Sequence, residues 1–291
     1  MRLDGRTRSY LVHVPAGYDG RRALPLVIVL HGGGGNYKFA AKMTGFSEKA
    51  DREQFLVAYP NGSGPFSGNF LTWDAGDCCG YAKRKRVDDV AFVGALIDRL
   101  EREFAVDPSR IYVAGFSNGA MMAYQAGCAL ADRLAAIAAV SGSMSGKEPL
   151  PVRPLPVIIL HGTADHHVPY GGGPGKLAKW GYPVNKQPVS YAVKFWVSRD
   201  GASADPLRDE KGKLTVETYA GGNGGSEVVL YTIKGARHAW PGGRRAWVGA
   251  DAPCPDVSAT DTIWDFFKRH PGAGAGQSHS DVCAMPPDKS I

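Results

Sequence analysis

A chain of 291 residues with 44% hydrophobic and 21% charged residues has the composition of an ordinary globular domain, long enough to bury a large core. It contains no run of 18 or more apolar residues, so we expect no membrane anchor. The net charge of +6 is densest at residues 83–86, and one short basic run without interleaved aromatics is typical of a solvated surface rather than a nucleic-acid site.

Short apolar segments alternate with helical ones along the chain. Residues 8–14 alternate like a half-buried strand, whereas continuous apolar runs predict strands covered on both faces. These runs lie at 24–30, 55–59, 110–114, 136–140 and 156–160, and a final edge strand is expected at 227–233. Helices are predicted at 88–104, 118–130 and 261–269. The alternation predicts an α/β fold, a mostly parallel central sheet with helices on both faces.

The domain organisation follows from the same pattern. We expect one catalytic domain over residues 1–270 and a loosely held tail at 271–291, which has low hydrophobicity and no periodicity. The glycine-rich segment 168–188 is expected to form an insertion over the mouth of a site. Because residues 1–6 lead directly into strand-like sequence, we expect either a cytoplasmic protein or one whose signal peptide has been removed.

The five cysteines show no CxxC pair with the spacing of a zinc site, so no structural metal is expected. An odd count allows two disulfides and one free thiol. The adjacent Cys78 and Cys79 would compete for Cys128, and Cys254 would pair with Cys283. If those bridges form, the protein matures in an oxidising compartment.

The strongest motif is the G-x-S-x-G sequence at residues 115–119, between a predicted strand and a predicted helix. In that context Ser117 is the expected nucleophile. The turn is sharp, so Gly115 and Gly119 supply the small side chains that it needs. The N–H of Asn118, at the helix N-terminus, is expected to point at the negative charge of the transition state. A serine in a glycine-rich turn by chance is the alternative.

A second glycine-rich sequence, HGGGGN at residues 31–36, follows the predicted strand 24–30. In this position a hydrolase places its second oxyanion donor, and we expect the N–H of Gly33 to serve, with Gly34 as the next candidate. A phosphate-binding loop is the competing interpretation, but neither phosphate motif is present. His31 is expected to brace the loop by hydrogen bonds.

The acid and the base follow the nucleophile in the order that this fold uses. Asp165 comes shortly after the strand at 156–160, and His238 lies in a loop after the strand at 227–233. His238 would accept the proton of Ser117 at Nε2 while its Nδ1–H binds Asp165. The neighbouring His166 and His167 lack carboxylate or thiolate partners at metal-binding spacing, so neither a metal nor another cofactor is expected.

With these motifs in place the chain resembles the esterases grouped with polyhydroxybutyrate depolymerases and feruloyl esterases, carbohydrate esterase family 1 of the α/β-hydrolases. The resemblance spans residues 8–270 and rests on LHGGGGN (30–36), TWDAGDCCGYA (72–82), VDDVAFV (87–93), GFSNGAMMAY (115–124), HGTAD (161–165) and HAWPGG (238–243). It implies secretion, no cofactor, and a triad of Ser117, Asp165 and His238. Ala236 and Arg237 stand where the family more often has glycines.

The sequence constrains the identity of the ester less than it constrains the reaction. Aromatic residues suited to a cinnamoyl or sugar ring occur in predicted rim loops, although core packing explains each of them equally well; they are Trp73, Trp180, Tyr182 and Trp240. Arg237 could favour a carboxylate-bearing ester. Feruloyl esters on plant polysaccharide are the first prediction, with hydroxyalkanoate oligomers or acetyl xylan as alternatives. An acyltransferase and a non-catalytic binding protein on the same fold are the remaining hypotheses.

Overall fold

The computed structural model describes residues 1–66, 68–176, 185–245 and 249–272. Its strands are β1 (Arg2–Leu3), β2 (Arg6–Thr7), β3 (Tyr10–His13), β4 (Leu24–Leu30), β5 (Leu56–Pro60), β6 (Val106–Phe116), β7 (Ala136–Val140), β8 (Val157–Gly162), β9 (Gly173–Pro174), β10 (Asn185–Lys186), β11 (Leu207–Lys211), β12 (Leu214–Tyr219) and β13 (Val228–Ile233). Its helices are α1 (Tyr37–Thr44), α2 (Phe46–Glu53), α3 (Gly80–Arg84), α4 (Asp89–Glu103), α5 (Asn118–Ala129), α6 (Val189–Asp200) and α7 (Ala259–Arg269).

The centre of the molecule is a nine-stranded sheet in the order β11-β12-β13-β8-β7-β6-β4-β5-β3. The six strands from β13 to β5 are parallel, β3 is antiparallel to β5, and the β11–β12 hairpin continues the other edge in antiparallel fashion. The predicted α/β class is therefore confirmed. Two short ribbons, β1–β2 and β9–β10, lie outside this sheet.

Helices cover both faces of the sheet, as its continuous apolar strands require. Leu26 and Ile28 of β4 face one core layer, which also contains the apolar side chains of α4, α5 and α6. Val27 and Val29 of the same strand face the other layer, formed with α1, α2 and α7. Every residue of β4 is buried, so the strand lies in the middle of both layers.

The predicted bounds are accurate for two of the completely buried strands and within two residues for β5 and β8. The runs at 24–30 and 136–140 coincide with β4 and β7, and the helical pattern at 88–104 corresponds to α4. This helix is capped by the Asp88 carboxylate, which accepts the N–H of Ala91 at 2.8 Å. The helices α1, α2, α3 and α6 were not predicted.

Two predictions about the edges of elements are wrong. The strand at 227–233 is not an edge strand, because β13 pairs with β12 as well as with β8. The hairpin beyond it was missed because β11 is polar and exposed along its whole length, which leaves no alternation to recognise. The basic run at 83–86 is not all loop, since α3 extends to Arg84, but its side chains are exposed as expected.

The predicted bridge from Cys78 or Cys79 to Cys128 is also wrong. Cys78 and Cys79 are joined to each other, while Cys128 is buried and unbridged among the described residues. The Cys78 Sγ lies 4.0 Å from Nδ2 of Asn118, at the start of α5. Cys128 is near the other end of that helix, roughly 15 Å away at 1.5 Å per residue, too far for a disulfide. Cys283 lies outside the described residues, so its predicted pairing stays a prediction.

The backbone packs very closely where β6 turns into α5. A side chain added at Gly115 would come within 2.1 Å of the Gly119 carbonyl oxygen, and one added at Gly119 would come within 2.3 Å of the Leu30 carbonyl oxygen. Both contacts are with backbone, which cannot move aside without displacing β4 or α5. These two glycines therefore let the strand, the turn and the helix pack together.

We expect Gly115→Ala to lower the free energy of unfolding by about 3 kcal/mol, at the upper end of overpacking costs, because the methyl group meets backbone. Urea unfolding measures this change. The matched control is Gly94→Ala in α4, where the added carbon meets only Leu130 Cδ2 at 3.7 Å and the helix gains up to about 1 kcal/mol. Equal effects of the two substitutions would contradict the close-packing argument.

Candidate active site

Three loops at one edge of the sheet bring the predicted nucleophile, acid and base together. Ser117 lies between β6 and α5, Asp165 follows β8, and His238 follows β13. Because these strands are parallel, their carboxyl ends meet at the same edge. Ser117 has a φ of 56° and a ψ of −119°, a backbone conformation rarely adopted by side-chain-bearing residues, and its N–H donates to Val140 O at 2.9 Å.

The three side chains form one hydrogen-bonded chain. His238 Nε2 lies 2.9 Å from the Oγ of Ser117, and His238 Nδ1 lies 2.7 Å from Oδ2 of Asp165. A carboxylate accepts, so the Nδ1 position carries the proton and Nε2 is free to accept the proton of the serine. This tautomer is the one that nucleophilic catalysis requires.

The Asp165 carboxylate is buried and fully engaged. Its other oxygen, Oδ1, accepts the backbone N–H groups of His167 at 2.8 Å and Val168 at 2.9 Å. Burial by itself raises the pKa of this carboxyl, but the hydrogen bond and charge of His238 and the Val168 N–H outweigh it, so the pKa is lowered. The group therefore stays ionised beside the base.

His161 belongs to the HGTAD motif but had no predicted role, and it lies next to Asp165. It is completely buried on β8, its Nε2–H donates to Val168 O at 2.8 Å, and Nε2 lies 3.6 Å from Asp165 Oδ2. Burial lowers its pKa despite the carboxylate nearby, so the ring is neutral. It fixes the loop whose N–H groups hold Asp165.

The two residues predicted to supply oxyanion donors lie together beside Ser117. Gly33 and Asn118 are neighbours, since a carbon added at Gly33 would lie 3.6 Å from the Asn118 Cβ. Neither N–H donates to another backbone group among the described residues. The amide of Gly34, the second candidate, donates to Leu71 O at 2.8 Å and is not available, although Gly34 does line the cavity. The N–H groups of Gly33 and Asn118 therefore stay the two candidate oxyanion donors, as predicted.

The oxyanion loop is fixed by buried polar contacts. His31 donates from Nδ1 to Gly32 O at 2.8 Å and accepts the Gly62 N–H at Nε2 at 3.0 Å. Burial lowers the pKa of His31 to about 4, so this ring is neutral and acts as a brace. The Asn118 side chain bonds both the N–H and the carbonyl of Trp73, at 2.8 and 3.2 Å.

A buried ion pair anchors the neighbouring loop and accounts for the VDDVAFV motif. Arg8 lies 2.6 Å from Asp89 Oδ1, and the other carboxylate oxygen accepts the Asp74 N–H at 2.8 Å. The guanidinium also lies over the Phe92 ring, 3.8 Å from its centroid. Asp89 therefore joins the first turn of α4 to the loop that carries Trp73.

A cavity of about 530 Å³ opens onto Ser117. Its apolar wall is formed by Phe39, Ala40, Met43, Phe116 and Met121, and its polar wall by His167, Lys176, Lys186 and Asp251. The described residues of 168–188 contribute to the polar wall, at the mouth where an insertion was expected. Phe116 and Met121 lie in the motif at 115–124, whereas the other wall residues belong to no recognised motif and were not predicted.

Three of the six predicted substrate-binding residues, Trp73, Trp240 and Arg237, do not line the cavity. Trp73 is completely buried and donates from Nε1 to His31 O at 2.9 Å, while Trp240 packs against Phe46 and donates to Thr260 Oγ1 at 3.0 Å. Both predictions are wrong because each indole completes the core. Arg237 is exposed, 3.8 Å from Asp251, and does not line the cavity. Trp180 and Tyr182 lie outside the described residues.

Residues 18–177 match the family described as phospholipase/carboxylesterase. Feruloyl esterase B of Piromyces equi is 32% identical over 246 residues, which are 82% of this chain and 44% of that protein, so the chain spans less than half of it. A putative esterase, NocK, of Nocardia uniformis subsp. tsuyamanensis is 32% identical over 285 residues, covering 90% of this chain and 80% of that one.

Among solved structures, an acetyl xylan esterase from Aspergillus awamori superimposes with a TM-score of 0.62 at 14% identity, covering 90% of this chain and 94% of the other. At this identity the likeness concerns the fold. Together with the sequence relatives it confirms the α/β-hydrolase fold and the predicted resemblance to feruloyl esterases.

Because His31 is buried and neutral in the folded protein, we expect the free energy of unfolding to depend on pH. The pKa of this ring is about 4 in the folded protein and 6.5 ordinarily, so the unfolded chain takes up the proton first. Stability is therefore lost as the pH falls from about 6.5 towards 4, by up to about 3 kcal/mol. Urea unfolding near neutral pH and at about pH 4.5 should show a smaller loss for His31→Gln than for the wild type.

The control for this experiment is His166→Gln, at an exposed position close to the site. It is expected to retain the acid sensitivity of the wild type. An acid sensitivity unchanged in His31→Gln would contradict the assignment of His31 as a buried neutral brace.

Proposed function

Because the chain belongs to the phospholipase/carboxylesterase family of α/β-hydrolases and is a carboxylic ester hydrolase, we propose that it cleaves feruloyl (cinnamoyl) esters of plant polysaccharide through an acyl-enzyme on Ser117. The observation that carries the mechanism is the continuous chain from Ser117 Oγ through His238 to the buried Asp165, beside two N–H groups without a backbone acceptor among the described residues.

In the first half-reaction Ser117 Oγ attacks the ester carbonyl carbon as its proton passes to Nε2 of His238. The N–H groups of Gly33 and Asn118 stabilise the negative charge on the carbonyl oxygen. Asp165, ionised because its pKa is lowered, stabilises the imidazolium. The bond between carbonyl carbon and alcohol oxygen then breaks, His238 returns its proton to that oxygen, and the acyl group remains on Ser117.

In the second half-reaction a water molecule replaces the alcohol. His238 removes one of its protons, the hydroxyl oxygen attacks the acyl carbon, and the same two N–H groups stabilise the second oxyanion. Collapse releases the carboxylic acid and restores the Ser117 hydroxyl with the proton held by His238. The reaction needs no group beyond these five residues and water.

The preference for a cinnamoyl acyl group is supported by the apolar wall of the cavity. Phe39, Met43, Phe116 and Met121 give the cavity of about 530 Å³ an aromatic and thioether lining, which suits a flat aromatic acid. A relative at 32% identity is named as a feruloyl esterase. Since a polysaccharide does not cross a cell membrane, the same proposal places the activity in a secreted or periplasmic protein. Among the described residues, no helix is both long and apolar enough to span a bilayer.

Ser117→Ala should lower kcat for p-nitrophenyl acetate by about 10⁶-fold, since nucleophile, base and acid act as one unit. The matched control, Ser190→Ala, changes an exposed serine on α6 and should keep wild-type turnover. The measurement is kcat for p-nitrophenyl acetate on both purified variants. Continued hydrolysis by the Ser117→Ala variant would contradict the acyl-enzyme mechanism.

For the substrate, we expect kcat/KM for methyl ferulate to exceed that for acetylated xylan and for hydroxybutyrate oligomers by at least about tenfold. Of these substrates, only methyl ferulate has an aromatic acyl group that packs against the apolar wall. The three substrates are compared on one enzyme preparation. Faster cleavage of either of the other two would replace the feruloyl assignment while leaving the triad chemistry intact.

A further inference from the structure

The polar wall of the cavity carries two lysines that the ester-cleaving reaction does not use. Lys186, on β10, is half-buried, and Lys176 is exposed at the end of the segment that follows β9. Both line the same cavity as Ser117 and His238. Neither belongs to an ion pair among the described residues.

The backbone holds these lysines next to His167. A carbon added at Gly175 would lie 2.0 Å from the His167 carbonyl oxygen and 3.5 Å from Lys186 Nζ. Gly175 therefore lies between the ammonium group of Lys186 and the backbone of His167. The Lys176 N–H donates to His166 O at 2.7 Å, which ties the other lysine to the same loop. The β9–β10 ribbon, in which Lys186 pairs with Gly173, keeps the two strands in register.

His167 relates the lysines to the reaction geometry. Its ring stacks on that of His238, with centroids 4.8 Å apart and planes 25° from parallel. The base returns its proton to the leaving alcohol, so the alcohol portion of an ester must lie on the His238 side, and the acyl carbonyl oxygen on the side of Gly33. The two ammonium groups therefore lie on the side of the alcohol portion.

Charges around the lysines leave an excess of positive charge. Asp165 attracts Lys186, but its two oxygens already accept hydrogen bonds from His238, His167 and Val168. Asp251, the carboxylate on the cavity wall, lies 3.8 Å from Arg237, and the positive charge of Arg237 offsets the negative charge of Asp251. Lys186 is half-buried, which limits the hydration of its ammonium group and lowers its pKa. A poorly hydrated cation gains most from an anionic ligand.

We propose that Lys186 and Lys176 form an anion subsite, and that the preferred esters carry a carboxylate on their alcohol portion, as in an acidic saccharide or an esterified hydroxy acid. This inference rests on the proposed function and deepens it. It also replaces Arg237, predicted from sequence as the source of such a preference, with two cations that line the cavity.

The test compares two acetate esters of nearly equal shape, 4-acetoxybenzoate and 4-acetoxybenzamide, which differ in the charge of the alcohol portion. The quantity measured is the ratio of their kcat/KM values. We expect the wild type to prefer the anionic ester, Lys186→Gln to lose about tenfold of that preference, and Lys176→Gln to lose a smaller part. Raising the ionic strength should reduce the wild-type preference.

Two further variants separate charge from folding. Lys186→Arg keeps the cation and should retain most of the preference, while Lys194→Gln removes the same charge from the exposed face of α6 and should leave the ratio as in the wild type. A ratio, unlike a rate, does not fall when part of a preparation is misfolded. An equal loss in Lys194→Gln would show a long-range charge effect and overturn the subsite.

The outcomes distinguish this inference from the proposed function. If both esters are cleaved, Ser117→Ala is inactive, and the ratio is the same in wild type and Lys186→Gln, the anion subsite is wrong and the esterase mechanism stands. If Ser117→Ala still cleaves the neutral ester, the mechanism fails. Acetylated uronic acid and the hydroxybutyrate dimer, each against its methyl ester, then show which source of carboxylate is preferred.

Discussion

The close approach of backbone at Gly115 and Gly119 is the constraint on which the site depends. No side chain fits at either position, since a carbon there would lie 2.1 or 2.3 Å from a carbonyl oxygen. The contact presses the first turn of α5 against the end of β4, which places Asn118 beside Gly33. Ser117, Asn118 and Gly33 are therefore brought together where α5 packs against the end of β4.

Around that contact, each loop of the site is held by a buried polar side chain that does not react. His31 braces the loop of Gly33, His161 braces the loop of Asp165, and Asp89 braces the loop of Trp73. Both histidines have lowered pKa values because burial disfavours the charged form. Such groups let irregular backbone lie in the interior without unpaired N–H groups, which a catalytic rim built from loops requires.

The residues that line the cavity differ from those that the sequence implied. Trp73 and Trp240 fill the core and use their indole N–H groups to tie loops together, while the cavity wall is built from smaller apolar side chains and two lysines. An indole with a satisfied N–H is as well suited to a buried junction as to a ligand surface. Residue type alone cannot distinguish the two environments.

The sequence by itself determined the features that depend on local geometry. Continuous apolar runs fixed β4 and β7, the G-x-S-x-G turn fixed Ser117, and the positions of Asp165 and His238 after their strands followed from chain order. The exposed hairpin β11–β12, the separation of Cys128 from Cys78 and the cavity wall were decided only by the tertiary structure. Those features depend on which segments meet in space, and residues such as His167 and Lys186 acquire their surroundings only when separate loops converge on Ser117.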